Sequence, residues 1–372
     1  MTQLFKYFRH ACIGVAAAIF IWGSGVATAV EYQSIYQSIR PLGMGGAFTA
    51  VADDKNALYY NPAGLSHISE FRVGMDTVFE MSESGIGLIS DIQDTDFENE
   101  AEVSTFLQDY VGDVQYIRFS LAPQLGMRVK DAGVMVSGLA QAKVTAEVFN
   151  PPWPNLLAGI IVDAGVIGGA GMELEAVEGL RVGVAAKFIR RENLYKVYTP
   201  TDIVNENFDP FEEDRESGSG LSLDLGVIYR LPFVERIDTD VAICFQNFPE
   251  MDMGDAVGID SQINIGIAVN KDINDFHVTG AFDIRDLTNN LGSVDDVNVD
   301  DDLAKRMYMG AEVRFPKILA LRAGLHQGYM SFGATADLTF ISFDFASYVE
   351  EIGAYAGQRD DRRYVAQLTL GW

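Results

Sequence analysis

The chain has 372 residues, 48% of them hydrophobic, and 53 acidic against 27 basic side chains give a formal charge of −26. That length suits one large domain or two ordinary ones, and the acidity excludes a nucleic-acid surface, which needs a basic footprint. Of the two cysteines, Cys12 lies in the apolar leader and only Cys244 lies beyond it, so no intramolecular disulfide framework is expected.

Lys6 and Arg9 open the chain, and Cys12 to Trp22 is an apolar run too short to span a bilayer comfortably. Ala27-Thr28-Ala29 supplies small residues at a cleavage position, so residues 1–29 are expected to be a secretory signal peptide, cut after Ala29. No later apolar run reaches the length of a membrane helix. An exported chain of this hydrophobicity is then either a soluble periplasmic domain or an outer-membrane barrel.

Arg40 to Gly64 differs from everything after it. Pro41 fixes one backbone angle, while Gly43, Gly45 and Gly46 permit tight turns and close backbone approach. Asp53 or Asp54 is placed to cap a short helix, and Pro62 ends that helix at Asn61. The glycines do not make a dinucleotide fingerprint: Phe48 stands where the third glycine belongs, and no strand precedes the run.

The run Pro41-Leu42-Gly43-Met44-Gly45-Gly46-Ala47-Phe48, with Ala52-Asp53-Asp54 and Asn61-Pro62-Ala63-Gly64, resembles the N-terminal region of the FadL-like outer-membrane barrel superfamily. That superfamily includes hydrophobic-compound transporters and PorV-type and TraF-type relatives. The resemblance implies that residues 30–69 fold into a barrel as a hatch. It also makes Asn61, Pro62, Ala63 and Gly64 candidate gating residues.

From residue 70 onward the period is two. Phe71, Val73, Met75, Phe79 and Met81 alternate with Arg72, Gly74, Asp76 and Glu80. Ile117, Phe119, Leu121 and Leu125 oppose Arg118, Ser120 and Gln124; Leu221, Leu223, Leu225 and Val227 oppose Ser222, Asp224 and Gly226. A charge exposed to mid-membrane lipid costs about 2–4 kcal/mol for Arg or Lys, so this parity predicts strands with apolar residues outward. About fourteen strands are expected, starting near Phe71, Tyr116, Ala132, Ile160, Leu180, Gly218, Thr239, Ser261, Phe276, Ala304, Ile318, Met330, Ser342 and Arg362. Long and short connections alternate as outer loops and periplasmic turns do, except that His326–Tyr329 is too short for its outer side. The fold class expected is an all-β membrane protein: an antiparallel barrel over residues 70–372 with a small N-terminal hatch.

The last strand alternates Tyr364, Ala366, Leu368, Leu370 and Trp372 against Gln367, Thr369 and Gly371. A terminal aromatic of this kind resembles the signal read by the outer-membrane assembly machinery, which makes Trp372 the candidate assembly residue.

Catalysis is not expected. His67, His277 and His326 are the histidines beyond the leader; there is no Gly-x-Ser-x-Gly elbow and no histidine pair at metal spacing, so neither metal nor cofactor is predicted. Inward charges such as Arg72, Arg118, Asp224, Glu312 and Arg322 are of mixed sign. They are expected to neutralise one another around the hatch, with Arg72 and Arg118 the candidates for a ligand carboxylate. Acidic outer loops (Asp91–Glu102, Glu212–Asp214, Asp295–Asp302) are read as solvated surface. Apolar pieces at Val103–Val111 and Pro151–Pro154 are read as loop packing or a docking site at the mouth. Pro123, inside the second strand, cannot donate to the ladder and marks a candidate gap in the wall. The resemblance implies passive uptake of hydrophobic or amphipathic compounds, as in long-chain fatty-acid transporters, across the outer membrane. The alternative is a PorV-like or TraF-like barrel that docks in a secretion or transfer system. Outer-membrane lipid, a hydrophobic small molecule and the assembly machinery are the expected partners.

Overall fold

The structure, a computed structural model, describes residues 34–87, 91, 100–149, 155–199, 202, 211, 214–232, 237–290, 293–294, 297–298, 302–316, 318–353 and 355–371. The leader, Trp372 and Pro151–Pro154 lie outside the described residues, as does most of the acidic loop sequence. In chain order come α1 (Ile39–Gly43), α2 (Ala57–Tyr60) and a 3-10 turn (Pro62–His67). There follow β1 (Arg72–Ser82), α3 (Glu100–Asp109), β2 (Val114–Val129), β3 (Ala132–Phe149), β4 (Asn155–Glu173), β5 (Leu180–Tyr198), β6 (Glu216–Arg230) and β7 (Asp238–Phe248). Then β8 (Met251–Met253) and β9 (Ala256–Ile259) precede β10 (Gln262–Ile273) and β11 (Phe276–Ile284). Last come β12 (Ser293–Val294), β13 (Val297–Asn298), β14 (Met307–Arg314), β15 (Leu319–His326), β16 (Tyr329–Asp337), β17 (Ile341–Glu351) and β18 (Asp360–Gly371).

Among the described residues, fourteen of these strands close into one barrel, and β8–β9 and β12–β13 stand apart as two small hairpins. Every wall neighbour is antiparallel, and β1 closes the ring against β18 with Gly74 opposite Gly371. Closure leaves no edge, which lipid requires because it cannot hydrogen-bond a free backbone group. The alternation read from the sequence sets the faces. Phe79, Leu125, Phe188, Leu221 and Phe345 are exposed on the outside, while Asp76, Glu80, Arg118, Ser120 and Asp224 are buried inside.

Strands begin within a few residues of expectation, with two instructive differences. β14 starts at Met307 rather than near Ala304, because Leu303–Arg306 forms a 3-10 turn whose Ala304 amide is capped by the Asp302 side chain. β4 starts at Asn155 because the wall is higher there than a bilayer demands: β3, β4 and β5 run 18, 19 and 19 residues. A membrane strand needs about 9–11. The apolar outer face of this extension would meet water, and α3 covers it, packing Phe106, Leu107 and Tyr110 with Val144, Val148, Leu156, Ile160, Leu194 and Tyr198. The first-loop apolar side chains are therefore spent on loop packing outside the wall. On the opposite side β14, β15 and β16 have only 8, 8 and 9 residues. There the short connection closes as a two-residue hairpin, with Gln327 and Gly328 at φ of 51° and 91°. Positive φ at both positions matches the right-handed strand twist.

Candidate functional site

The N-terminal segment lies inside the barrel. Ile35, Ile39, Leu42, Met44, Phe48, Leu58 and Leu65 are buried in one apolar cluster with wall residues Met135, Ile167, Ile189 and Ile228. Helix α2 ends at Asn61 as expected. The Asn61 side chain accepts from the Ala63 amide (3.2 Å), opening the Pro62–His67 turn, and donates to the Thr49 carbonyl (2.9 Å). At the entry to α2 the Asp54 carboxylate accepts the Asn56 amide at 2.8 Å, as a capping carboxylate does, while Asp53 pairs with Arg40.

At a series of points this segment comes close against the wall backbone, and glycine makes the room. A Cβ added at Gly133 would lie 1.9 Å from the Leu65 carbonyl oxygen, at Gly183 2.2 Å from the Pro62 carbonyl carbon, and at Gly226 2.0 Å from Asn61 Oδ1. Across the lumen, Gly310 would meet the Met44 carbonyl at 2.1 Å, Gly324 the Gly45 amide at 2.5 Å, and Gly333 the Gly43 Cα at 2.9 Å. Asn61, Pro62, Ala63 and Gly64 are thus brought together in a seat cut by glycines of β3 to β6.

Charge fixes the other side. Arg40 pairs with Asp53, with Asp54 at 2.7 Å and with Glu312 of β14 at 2.9 Å; Arg314 reaches Asp53 at 3.0 Å, and Arg322 reaches Glu312 at 2.5 Å. Burial alone would raise the Asp53 carboxyl; Arg40 and Arg314 beside it hold it well below the usual carboxylate range. Asp283 of β11 accepts two consecutive amides, those of Phe48 and Thr49, both at 2.7 Å. At the exit of the segment, Arg181 lies 3.0 Å from His67 Nε2, and burial and then Arg181 push the His67 pKa down.

Other inward charges are paired as expected: Arg191 with Asp163 at 2.7 Å and Lys187 with Asp224 at 2.6 Å. Arg118 is wholly buried, bonded to Glu80 (2.5 Å) and to the Gln37 carbonyl (3.0 Å). It holds the N-terminal segment. Arg72 sits apart from it at the other end of the lumen, in the lining of a cavity of about 800 Å³ that also takes in Arg40, Asp53, Lys55, Arg314 and Asp344. This vestibule is flanked by the short turns and by both chain ends of the wall. Its lining mixes these charged groups with Phe71, Met135, Phe315 and Phe340, and the Arg40, Asp53 and Arg314 charges within it are paired as hatch anchors.

At Pro123 the wall keeps its register but loses two ladder pairs. β2 and β3 pair at Leu121 with Ala140 and again at Gln124 with Ser137, and the two rungs between are missing. The Ser137 hydroxyl lies 3.2 Å from the Pro123 carbonyl and 2.9 Å from that of Gly138, and itself accepts from the Tyr59 hydroxyl of α2 at 2.7 Å. Pro123 remains paired on its other side, opposite Met75 of β1. The seam is bridged by a hydroxyl, and that hydroxyl is held by the N-terminal segment. Sequence reasoning found the proline; Ser137 and Tyr59 carried no comparable signal.

The fold is thus a closed barrel of fourteen antiparallel strands with its N-terminal segment folded inside. Among solved structures that resemble it is the Ralstonia pickettii toluene transporter TbuX, 12% identical with a TM-score of 0.53, covering 92% of this chain and 98% of that one. The CymD monoaromatic hydrocarbon channel is 11% identical with a TM-score of 0.51, covering 92% of this chain and 97% of that one. At such identities the likeness establishes the fold. No protein-family model matches the sequence, and no curated protein matches it either.

Proposed function

We propose that this chain is an outer-membrane barrel for passive uptake of hydrophobic or amphipathic compounds, with residues 30–69 as its hatch. The observation that carries this reading is the inner face of the high wall. Tyr195 and Val197, 56% and 40% exposed, lie on the same face of β5 as the inward Arg191 and present apolar surface at the mouth, above a lumen whose core is itself apolar. Apolar side chains exposed together at a mouth are surface that a hydrophobic compound would meet first. The fold-level neighbours, a toluene transporter and a monoaromatic hydrocarbon channel, agree with a hydrophobic cargo. In this reading Asn61, Pro62, Ala63 and Gly64 form the pivot on which the hatch is seated. The Pro123 seam is the side exit, held shut while Tyr59 keeps Ser137 in place.

The test is uptake of radiolabelled toluene and of radiolabelled oleate by cells expressing the barrel, with mass spectrometry of compounds co-extracted with the purified protein. Uptake of either above that of cells lacking the barrel supports transport. Equal uptake with no co-extracted hydrophobe refutes it and leaves the docking role of PorV-like or TraF-like barrels.

A further inference from the structure

A second piece of chain folds into the lumen from the outer side. The β7–β10 connection, expected as an ordinary outer loop, turns inward as the β8–β9 hairpin. Met251, Met253, Ala256 and Ile259 are buried in the same apolar cluster as the hatch residue Leu58 and the wall residue Ile189. Glu250, Asp252 and Asp255 are exposed on the opposite face. The hairpin thus has an apolar underside and an acidic top.

Its seat on the wall is shaped for it. A Cβ at Gly218 would lie 1.4 Å from the Met253 carbonyl oxygen, and one at Gly220 would lie 2.3 Å from Met251 Cγ. Yet the hairpin joins no wall ladder. Side chains tether it: Arg191 Nη1 donates to the Val257 carbonyl (3.0 Å), the Val257 amide donates to Asn193 Oδ1 (2.8 Å), and Asn247 Nδ2 donates to the Asp260 carbonyl (3.2 Å). A shaped apolar seat with its occupant held by a few polar tethers is a site already filled by the chain itself.

We propose that the inner wall at β5–β6 carries an apolar binding site filled by Met251 and Met253, and that a neutral apolar compound entering from the mouth takes their place by lifting the hairpin. Methionine side chains are unbranched and polarizable, so they fill an irregular apolar surface and can be exchanged for a ligand of similar softness. Lifting the hairpin leaves its acidic face in water, so its charges lose no hydration. The same acidic face repels anions, which sets the class: neutral compounds are admitted ahead of carboxylates. This inference rests on the uptake reading above and adds to it the site and the class of cargo.

The test locks the hairpin. Asn193→Cys with Val257→Cys, in a Cys244→Ala background, joins two positions already in hydrogen-bond contact. Oxidised cells should lose toluene uptake about tenfold and regain it on reduction with dithiothreitol. Equal uptake in both states overturns the proposal while leaving transport itself intact. If cells with the parent barrel take up no more toluene than cells without it, the uptake reading fails first. The site is then judged on purified protein, by maleimide labelling of Met253→Cys in the same Cys244→Ala background. Toluene should speed that labelling severalfold and oleate should not. Labelling unaffected by toluene, or accelerated equally by oleate, overturns the proposal.

Discussion

The glycine seat makes a sharp prediction for Gly183→Ala. The new methyl would lie 2.2 Å from the Pro62 carbonyl carbon, 2.3 Å from its oxygen and 2.4 Å from the Ala63 amide nitrogen. All three are backbone atoms, so no rotamer change relieves the contact, and the segment must withdraw. Overpacking of this kind costs about 1–3 kcal/mol. Alanine is meanwhile more favourable than glycine inside a strand by roughly 0.5–1 kcal/mol, so the wall itself is not weakened. At 1.4 kcal/mol per decade, the population with the segment unseated should rise about 5- to 150-fold. The assay is maleimide labelling of Leu58→Cys, a fully buried position, in a Cys244→Ala background, with barrel integrity followed by heat-modifiable migration on gels. Gly168→Ala is the control, since its nearest neighbour would be 3.6 Å away. If Gly183→Ala labels at the parental rate with the barrel intact, the seat does not hold the segment.

Ser137→Ala strips the hydroxyl that bridges the Pro123 and Gly138 carbonyls and should lower stability to urea by about 1–3 kcal/mol; an unchanged unfolding curve refutes the bridge. Pro123→Val supplies the missing donor and should slow cargo release without unfolding the barrel, measured as efflux from preloaded cells; unaltered efflux removes the side exit. The His67 pKa is lowered in the folded state, so as pH falls through about 6.5 the unseated form takes a proton first and seating is progressively lost. Asp53, whose folded pKa is also depressed, contributes stability above about pH 4 and loses it only below that, so it is silent in this window. A spin label at Ser66 should therefore gain mobility between pH 7.5 and 5.5 in the parent and not in His67→Gln; equal gains in both refute the assignment. Deleting Trp372 should reduce the barrel recovered from outer membranes, and normal recovery counts against the terminal signal.

The wall was legible because lipid enforces a simple rule: each strand must show apolar residues at every second position, and Leu221, Leu223 and Leu225 obey it without tertiary context. Connections were legible from length alone, and even the two residues Gln327-Gly328 fit once positive φ is allowed. The lumen was harder. Gly133, Gly183 and Gly226 read as ordinary strand glycines, because nothing local says that Leu65, Pro62 and Asn61 arrive opposite them. Arg118 was recognisable as inward-facing, but whether an inward arginine meets a ligand or a glutamate depends on the neighbouring strand, here Glu80 of β1. The β8–β9 hairpin was missed for a similar reason. Met251 and Met253 alternate with acidic residues as any solvated loop could, and only Gly218 and Gly220 on another strand provide the space that draws them inward.

The seat also dictates an order of assembly. The segment that fills the barrel lies early in the chain, yet Gly310, Gly324 and Gly333, which make half of its seat, belong to strands near its end. Asp283 and Glu312, which hold its amides and its arginine, come late as well. Contacts so distant in sequence form only after long loops have closed, and until then Arg40, Asp53 and the glycine turns have no partners across the lumen. The segment must therefore wait, unseated and open to proteolysis, until β18 has found β1. Cleavage within residues 34–66 during a pulse-chase, followed by protection, would time the closing of the ring.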